Sequence, residues 1–139
     1  MPITLEGQAA QIDALLTNPS IAILAHLAKN PIPIDVEGQT IDDMVECDFP
    51  GYAPQPIEEA TEVFINETNY AEVICGIVTF TAGAIVAPQS AYALYVTIQN
   101  GAGPVKLWAV ENFPSPVVFE NEGQILEREA RLLSANLAT

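Results

Sequence analysis

Hydrophobic positions fall in short runs along most of the chain, with turn residues between them. One stretch repeats at helical spacing. Ala9, Ile12, Leu15 and Leu16 recur three and four residues apart, which predicts a short helix over Gln8–Thr17 that Asn18-Pro19 ends. Ile21–Leu27 follows as an unbroken apolar run of strand length, interrupted by His26. Pro31 and Pro33 make Lys29–Ile34 an extended loop. Thr40-Ile41-Asp42-Asp43-Met44 then opens a helical turn. Thr40 has N-cap chemistry, and Asp42 and Asp43 suit the positive end of a short helix.

The pattern changes at Val45-Glu46-Cys47-Asp48-Phe49-Pro50-Gly51-Tyr52-Ala53-Pro54. Pro50 presets φ and Gly51 tolerates a positive φ, so the pair signals a turn. The expectation is a corner that plants the Phe49 and Tyr52 rings at one end of a β-sandwich or barrel. An ordinary loop with one buried aromatic fits the same residues. Short β-like runs follow at Ala53–Ile57, Thr61–Ile65, Glu72–Thr81, Ala91–Gln99, Val105–Glu111 and Val117–Phe119. Tyr92-Ala93-Leu94-Tyr95-Val96-Thr97-Ile98 is the clearest strand. Asn100-Gly101-Ala102-Gly103-Pro104 turns it into Val105–Val110 as a hairpin. From Gln124 the tail is ambiguous: its Glu and Arg content favours helix, while the alternation of a strand is imperfect. The fold class expected is mainly β, an antiparallel β-sandwich or barrel with a short N-terminal helix. One domain spans 1–139, with an arm or helix at 1–19 and the β domain at 20–139.

Composition adds two constraints. Half of the 139 residues are hydrophobic and only 16% are charged, so part of the surface should be hidden in an oligomer or against a larger partner. Eighteen acidic residues face four cations, Lys29, Lys106, Arg128 and Arg131, for a net charge of −14. That balance excludes binding through a nucleic-acid backbone and disfavours anionic membrane surfaces. The start of the chain has no basic stretch leading into an apolar run, and the longest apolar run, Ile21–Ala28, is too short to span a bilayer. No membrane association is expected, and synthesis should be cytoplasmic. Cys47 and Cys75 can form one disulfide or stand as two buried thiols; the sequence favours the thiols.

Candidate chemistry is sparse. His26 has no Cys or second His to share a metal and no acid that sequence alone can assign to it, so a structural role is expected. Ser20 and Ser90 lack a nucleophile elbow. Gly101-Ala102-Gly103 leads into Pro104 and a strand, not into a phosphate-binding helix. Asp35, Glu37, Asp42, Asp43, Glu46 and Asp48 cluster in sequence, but not with calcium-loop spacing; a solvated acidic face is expected. Glu58 and Glu59 would point to opposite faces of an extended chain, which spoils them as a catalytic pair. Asn66-Glu67-Thr68 matches a glycosylation acceptor by chance. Trp108 and Phe113 could stack on a sugar, or else fill the core or a subunit contact. Phe49, Gly51, Tyr52, Tyr92, Tyr95, Trp108 and Phe113 are the structural or interface candidates. No catalytic, metal or cofactor residue is assigned.

Several motifs occur in a recognisable order. Leu27-Ala28-Lys29-Asn30-Pro31-Ile32-Pro33 precedes Thr40-Ile41-Asp42-Asp43-Met44-Val45-Glu46-Cys47-Asp48-Phe49-Pro50-Gly51-Tyr52. Tyr92-Ala93-Leu94-Tyr95-Val96-Thr97, Leu107-Trp108-Ala109-Val110-Glu111-Asn112-Phe113-Pro114-Ser115-Pro116 and Gly123 come later. Over residues 20–133 this order resembles a family of small tailed-bacteriophage virion structural proteins. The chain departs from the family pattern by one extra residue between Ala109 and Glu111 and by its Glu/Arg-rich ending. The resemblance implies a final strand there, and a non-enzymatic capsid decoration (cement) protein that binds and stabilises the outer shell of the head. Its place would be the virion. The implied partners are the major capsid protein or other virion proteins and further copies of itself, as a trimer first and a dimer next. The competing readings are a tail, fibre or baseplate protein and, from another class, a carbohydrate-binding module built on Trp108 and nearby aromatics.

Overall fold

A computed structural model describes residues 10, 14–15, 17–33, 38–57, 62–65, 71–85 and 87–133, with side chains except at 62–65, 71–75 and 130–133. The chain is mainly β, in two antiparallel sheets. Its strands are β1 (Ile21–Ala28), β2 (Gln55–Pro56), β3 (Glu62–Ile65), β4 (Ala71–Thr81), β5 (Gln89–Asn100), β6 (Lys106–Phe119) and β7 (Ile125–Leu133). One sheet has the order β2-β1-β5-β6 and the other β3-β4-β7. Ahead of β1 the backbone is helical at Ala10, Ala14, Leu15 and Thr17. The rest of the helix predicted over 8–17 lies outside the described residues.

The apolar run of β1 is explained by burial on both faces. Ile23, Ala25 and Leu27 enter the main core, where they meet Leu94 and Val96 of β5, Val78 and Phe80 of β4, Phe113 and Phe119 of β6 and Leu126 of β7. Both sheets therefore contribute to one core. His26 and Ala28 point the other way, as strand alternation requires. On that outer face Ala28, Met44, Ala93 and Tyr95 form a second apolar cluster, packed by Ile32, Ile41, Leu107 and Val110. Ile41 and Met44, from residues 38–48, supply part of its cover. That stretch carries a 3-10 turn, Ile41–Asp43, in which the Asp43 carboxylate accepts the Thr40 amide at 2.8 Å.

The β5–β6 hairpin forms as the sequence predicts, with Ile98 opposite Lys106. Its second strand differs. The two expected runs, Val105–Glu111 and Val117–Phe119, belong to one strand interrupted by irregular pairing. Between the Ala93–Asn112 and Ala91–Val117 pairs, four residues of β6 oppose one of β5. Pro114 and Pro116 lie in that excess, and neither has an amide to give the ladder. Trp108 is a further extra residue, between the Leu107–Thr97 and Ala109–Val96 pairs. That bulge lets Leu107 face the outer cluster while Trp108 and Ala109 pack on the core.

The tail is a strand. It pairs with β4 from Ile125–Thr81 to Leu133–Glu72, with one irregularity where Gly76 takes a positive φ of 84°. Helical propensity loses because Leu126 and Arg128 can face the core, opposite Phe80 and Val78, while Glu127 and Glu129 stay in solvent.

Candidate functional site

The densest polar chemistry lies where residues 45–48 cross the end of β1. The Lys29 amide donates to Val45 O and the Cys47 amide to Leu27 O, both at 2.8 Å, and Glu46 bridges Ala28. This short pairing brings Glu46 to His26, twenty positions earlier in the chain. His26 Nδ1 lies 2.5 Å from Glu46 Oε2, and Nε2 lies 2.7 Å from Thr97 Oγ1. The Tyr52 hydroxyl receives the Leu27 amide at 3.0 Å and donates its proton to Glu46 Oε2 at 2.6 Å. Glu46 accepts only, so Nδ1 carries a proton, and in the neutral imidazole Nε2 then accepts from the Thr97 hydroxyl. The ring also stacks on Tyr95, its direct cross-strand neighbour, with centroids 4.7 Å apart.

Electrostatics follow from this packing. Burial first, and the hydrogen bond to the Glu46 carboxylate second, push the Tyr52 phenol well above its ordinary pKa. Burial, then the charge of Glu46, does the same to Tyr95. Burial pushes the Cys47 thiol up to about 12. Just outside, Asp48 accepts from Gln89 Nε2 at 2.7 Å and from Lys29 Nζ at 3.0 Å, and its amide donates to Gln89 Oε1. Those partners, Gln89 first, lower the Asp48 pKa.

Hydroxyl, imidazole and carboxylate stand in the order of a nucleophilic triad. The setting is unlike one. Thr97 is 3% exposed and His26 8%, and Thr97 sits mid-strand under the outer cluster. A described surface concavity lies elsewhere, at the β5–β6 turn, lined by Ile98, Asn100, Gly103, Pro104 and Lys106. The network spends its donors and acceptors on one another. What it does chemically is fasten 45–52 to the end of β1.

The predicted site residues are distributed around this network. Phe49 is buried, stacks on Phe119 of β6 at 4.2 Å and meets Tyr52 edge-on at 5.3 Å. Tyr52 stacks on Phe80 of β4. The corner thus ties one sheet to the other. Gly51 has φ +86°, the Tyr52 amide closes the turn onto Phe49 O, and the Gly83 amide bonds Pro50 O. Tyr95 joins the His26 network, and Tyr92 is partly buried on β5. Trp108 packs against the main core, and Phe113 lies inside it beneath the Arg128 guanidinium, 5.0 Å from the ring centroid. Phe113 is buried, whereas Trp108 is only partly so.

Of the acidic cluster, Asp42, Asp43 and Asp48 are exposed, in line with a solvated face, whereas Glu46 is partly buried against His26; Asp35 and Glu37 lie outside the described residues. Glu58, Glu59 and the 66–68 acceptor pattern also lie outside them. Among the described residues no group of three His, Cys, Asp or Glu converges on a metal position. Cys47 is a free, buried thiol; the side chain of Cys75 is outside the described set. Sequence reasoning missed Glu46 and Thr97 as partners of His26. The alternation of polar Glu46 and Asp48 with apolar Cys47 and Phe49 is the signal that could have placed Glu46 on an extended segment. No family model, no curated protein and no solved structure matches the chain.

Proposed function

We propose that the protein acts by surface contact, as a non-enzymatic structural component of a bacteriophage particle, in the role of a capsid decoration protein on the outer shell of the head. The two sheets, read as a β-sandwich, form its scaffold. The observation that carries the reading is on the outer face of the β3-β4-β7 sheet, where Ile77 and Ile125 are 66% and 57% exposed. Alternation puts them on one face with Thr79, Thr81, Glu127 and Glu129. An acidic surface bearing exposed β-branched side chains suits apolar attachment to a protein shell and repels packaged DNA. The closed His26 network supports the same reading, because it rigidifies and offers no approach to a substrate.

Co-sedimentation with purified heads, together with immunogold imaging of the particles, tests the proposal. Saturable binding to heads and label over the shell are expected. Label confined to tails would replace the head role with a tail, fibre or baseplate role. Label on no particle would overturn the reading.

A further inference from the structure

The β5–β6 turn holds a chemically reactive pair, Asn100-Gly101. An asparagine side chain is lost by attack of the next residue's backbone nitrogen, and a glycine there leaves that nitrogen uncrowded. The chain has eight asparagines, and Asn100 alone precedes a glycine. Asn18 and Asn30 precede prolines, which have no amide proton to give up. The other five precede residues with a Cβ.

The structure leaves the pair accessible. Asn100 is exposed at the end of β5, and its side-chain amide forms no hydrogen bond among the described residues. Gly101 has φ 57°, and a Cβ built on it meets nothing within 4 Å, so water and base reach that side of the turn. One contact opposes the reaction: the Gly101 amide donates to Ser20 O at 2.8 Å. Reaction therefore waits on opening of this end of the sheet. The pairing of β1 with β5 stops there, at Ile21 opposite Asn100, and the ends of elements open more readily than their middles.

We propose that Asn100 is a site of spontaneous deamidation in the folded protein, through a succinimide closed by the Gly101 nitrogen. Hydroxide removes the Gly101 amide proton. The nitrogen bonds to Asn100 Cγ, the Cγ–Nδ2 bond breaks, and Nδ2 leaves as ammonia with a proton from water, which restores the hydroxide. Water then opens the ring at either carbonyl. Cleavage at Cγ gives aspartate; cleavage at the main-chain carbonyl gives isoaspartate, whose chain runs through Cγ. Either product adds one negative charge to the −14 of the chain. The two differ in fit. Aspartate keeps the backbone, and its carboxylate shares a surface hollow with Lys106, a cation with no ion pair among the described residues. Isoaspartate lengthens the main chain by one carbon. It displaces the Asn100 carbonyl that accepts the Gly103 amide at 3.0 Å, and the Gly101 amide that ties the turn to Ser20.

The inference concerns the isolated chain and does not rest on the virion reading. Whole folded protein is incubated in mildly alkaline buffer beside a urea-unfolded sample, and both are mapped by peptide mass spectrometry with an isoaspartate-specific label. In the folded sample the Asn100 peptide should gain one mass unit before any other asparagine peptide. Part of that product should be isoaspartate, which direct hydrolysis of the side chain does not form. The reaction should be faster in urea, where the Ser20 contact is gone. Gly101→Ala should lose most of the product, because its methyl crowds the nitrogen. Asn100→Gln leaves the glycine in place and should lose it too, because a glutamine must close a six-membered ring. An Asn100 peptide unchanged in the folded sample, aspartate without isoaspartate, another asparagine reacting first, or an undiminished rate in Gly101→Ala would overturn the inference.

Discussion

His26 and Tyr95 stand directly opposite on β1 and β5, with their rings 4.7 Å apart and 9° from parallel. The imidazole is thus held by a stack on one side and by hydrogen bonds at both nitrogens, to Glu46 and to Thr97. His26→Phe separates the two contributions. It keeps a flat ring over Tyr95 and removes both polar contacts, which leaves Glu46 with Tyr52 alone and Thr97 without its partner. A loss of about 2–4 kcal/mol is expected from the stranded buried groups. Urea unfolding of the variant beside wild type measures it, and a loss below about 0.5 kcal/mol would mean that water replaces the imidazole at no cost.

Gly51→Ala should be far more damaging than Gly101→Ala, although both glycines have positive φ. A Cβ at Gly51 would lie 2.5 Å from the Gly83 nitrogen, whereas one at Gly101 meets nothing within 4 Å. The second change should cost about 1 kcal/mol of backbone strain, and the first about 3 kcal/mol or more because the Gly83–Pro50 contact must open. Thermal melts of the two variants give the ranking, and equal melting temperatures would remove the special role of Gly51.

Phe113→Ala is expected to cost about 3–5 kcal/mol through loss of a buried ring. Arg128 also loses the ring face beneath it. Trp108→Ala should destabilise too, by a smaller amount, since that side chain is only partly buried against the core. A sugar-stacking surface makes the opposite forecast: unchanged stability and lost glycan binding. Calorimetry and a glycan array on the same Trp108→Ala sample decide between them.

Cys47 gives a pH dependence with a definite sign. Its thiol is raised from 9.0 to about 12 by burial. The folded chain therefore holds this proton after the unfolded chain has released it, so the stabilisation is complete below about pH 9 and is lost as pH rises towards 12. Unfolding free energy should fall over that window, and Cys47→Ala should flatten the slope. Alkylation of Cys47, followed by peptide mapping, should be slow at pH 8 in the folded protein and fast in urea.

Much of this architecture is legible in the sequence because its signals are local. The β5–β6 hairpin follows from Tyr92–Ile98 and the Asn100–Pro104 turn, and the corner from Pro50-Gly51 between two aromatics. The tail is not legible from propensity, because burial of Leu126 opposite Phe80 decides it and those residues are far apart in sequence. The sequence splits β6 into two pieces because Pro114 and Pro116 signal a break; the strand instead carries them as surplus residues. The His26 network is hidden for another reason. Glu46 reaches it only through the pairing of 45–47 with the end of β1, and Thr97 only because β1 lies beside β5.

That last neighbour relation constrains how the chain acquires its shape during synthesis. β1 precedes every other described strand, yet its long partner, β5, ends at Asn100. Until that strand has left the ribosome, the described backbone partners of β1 are two-residue β2 and the short pairing of 45–47. Contacts this distant in sequence form slowly. β1 is therefore an apolar segment made well before its main partner, and the net charge of −14 supplies the repulsion that opposes contact between two such chains.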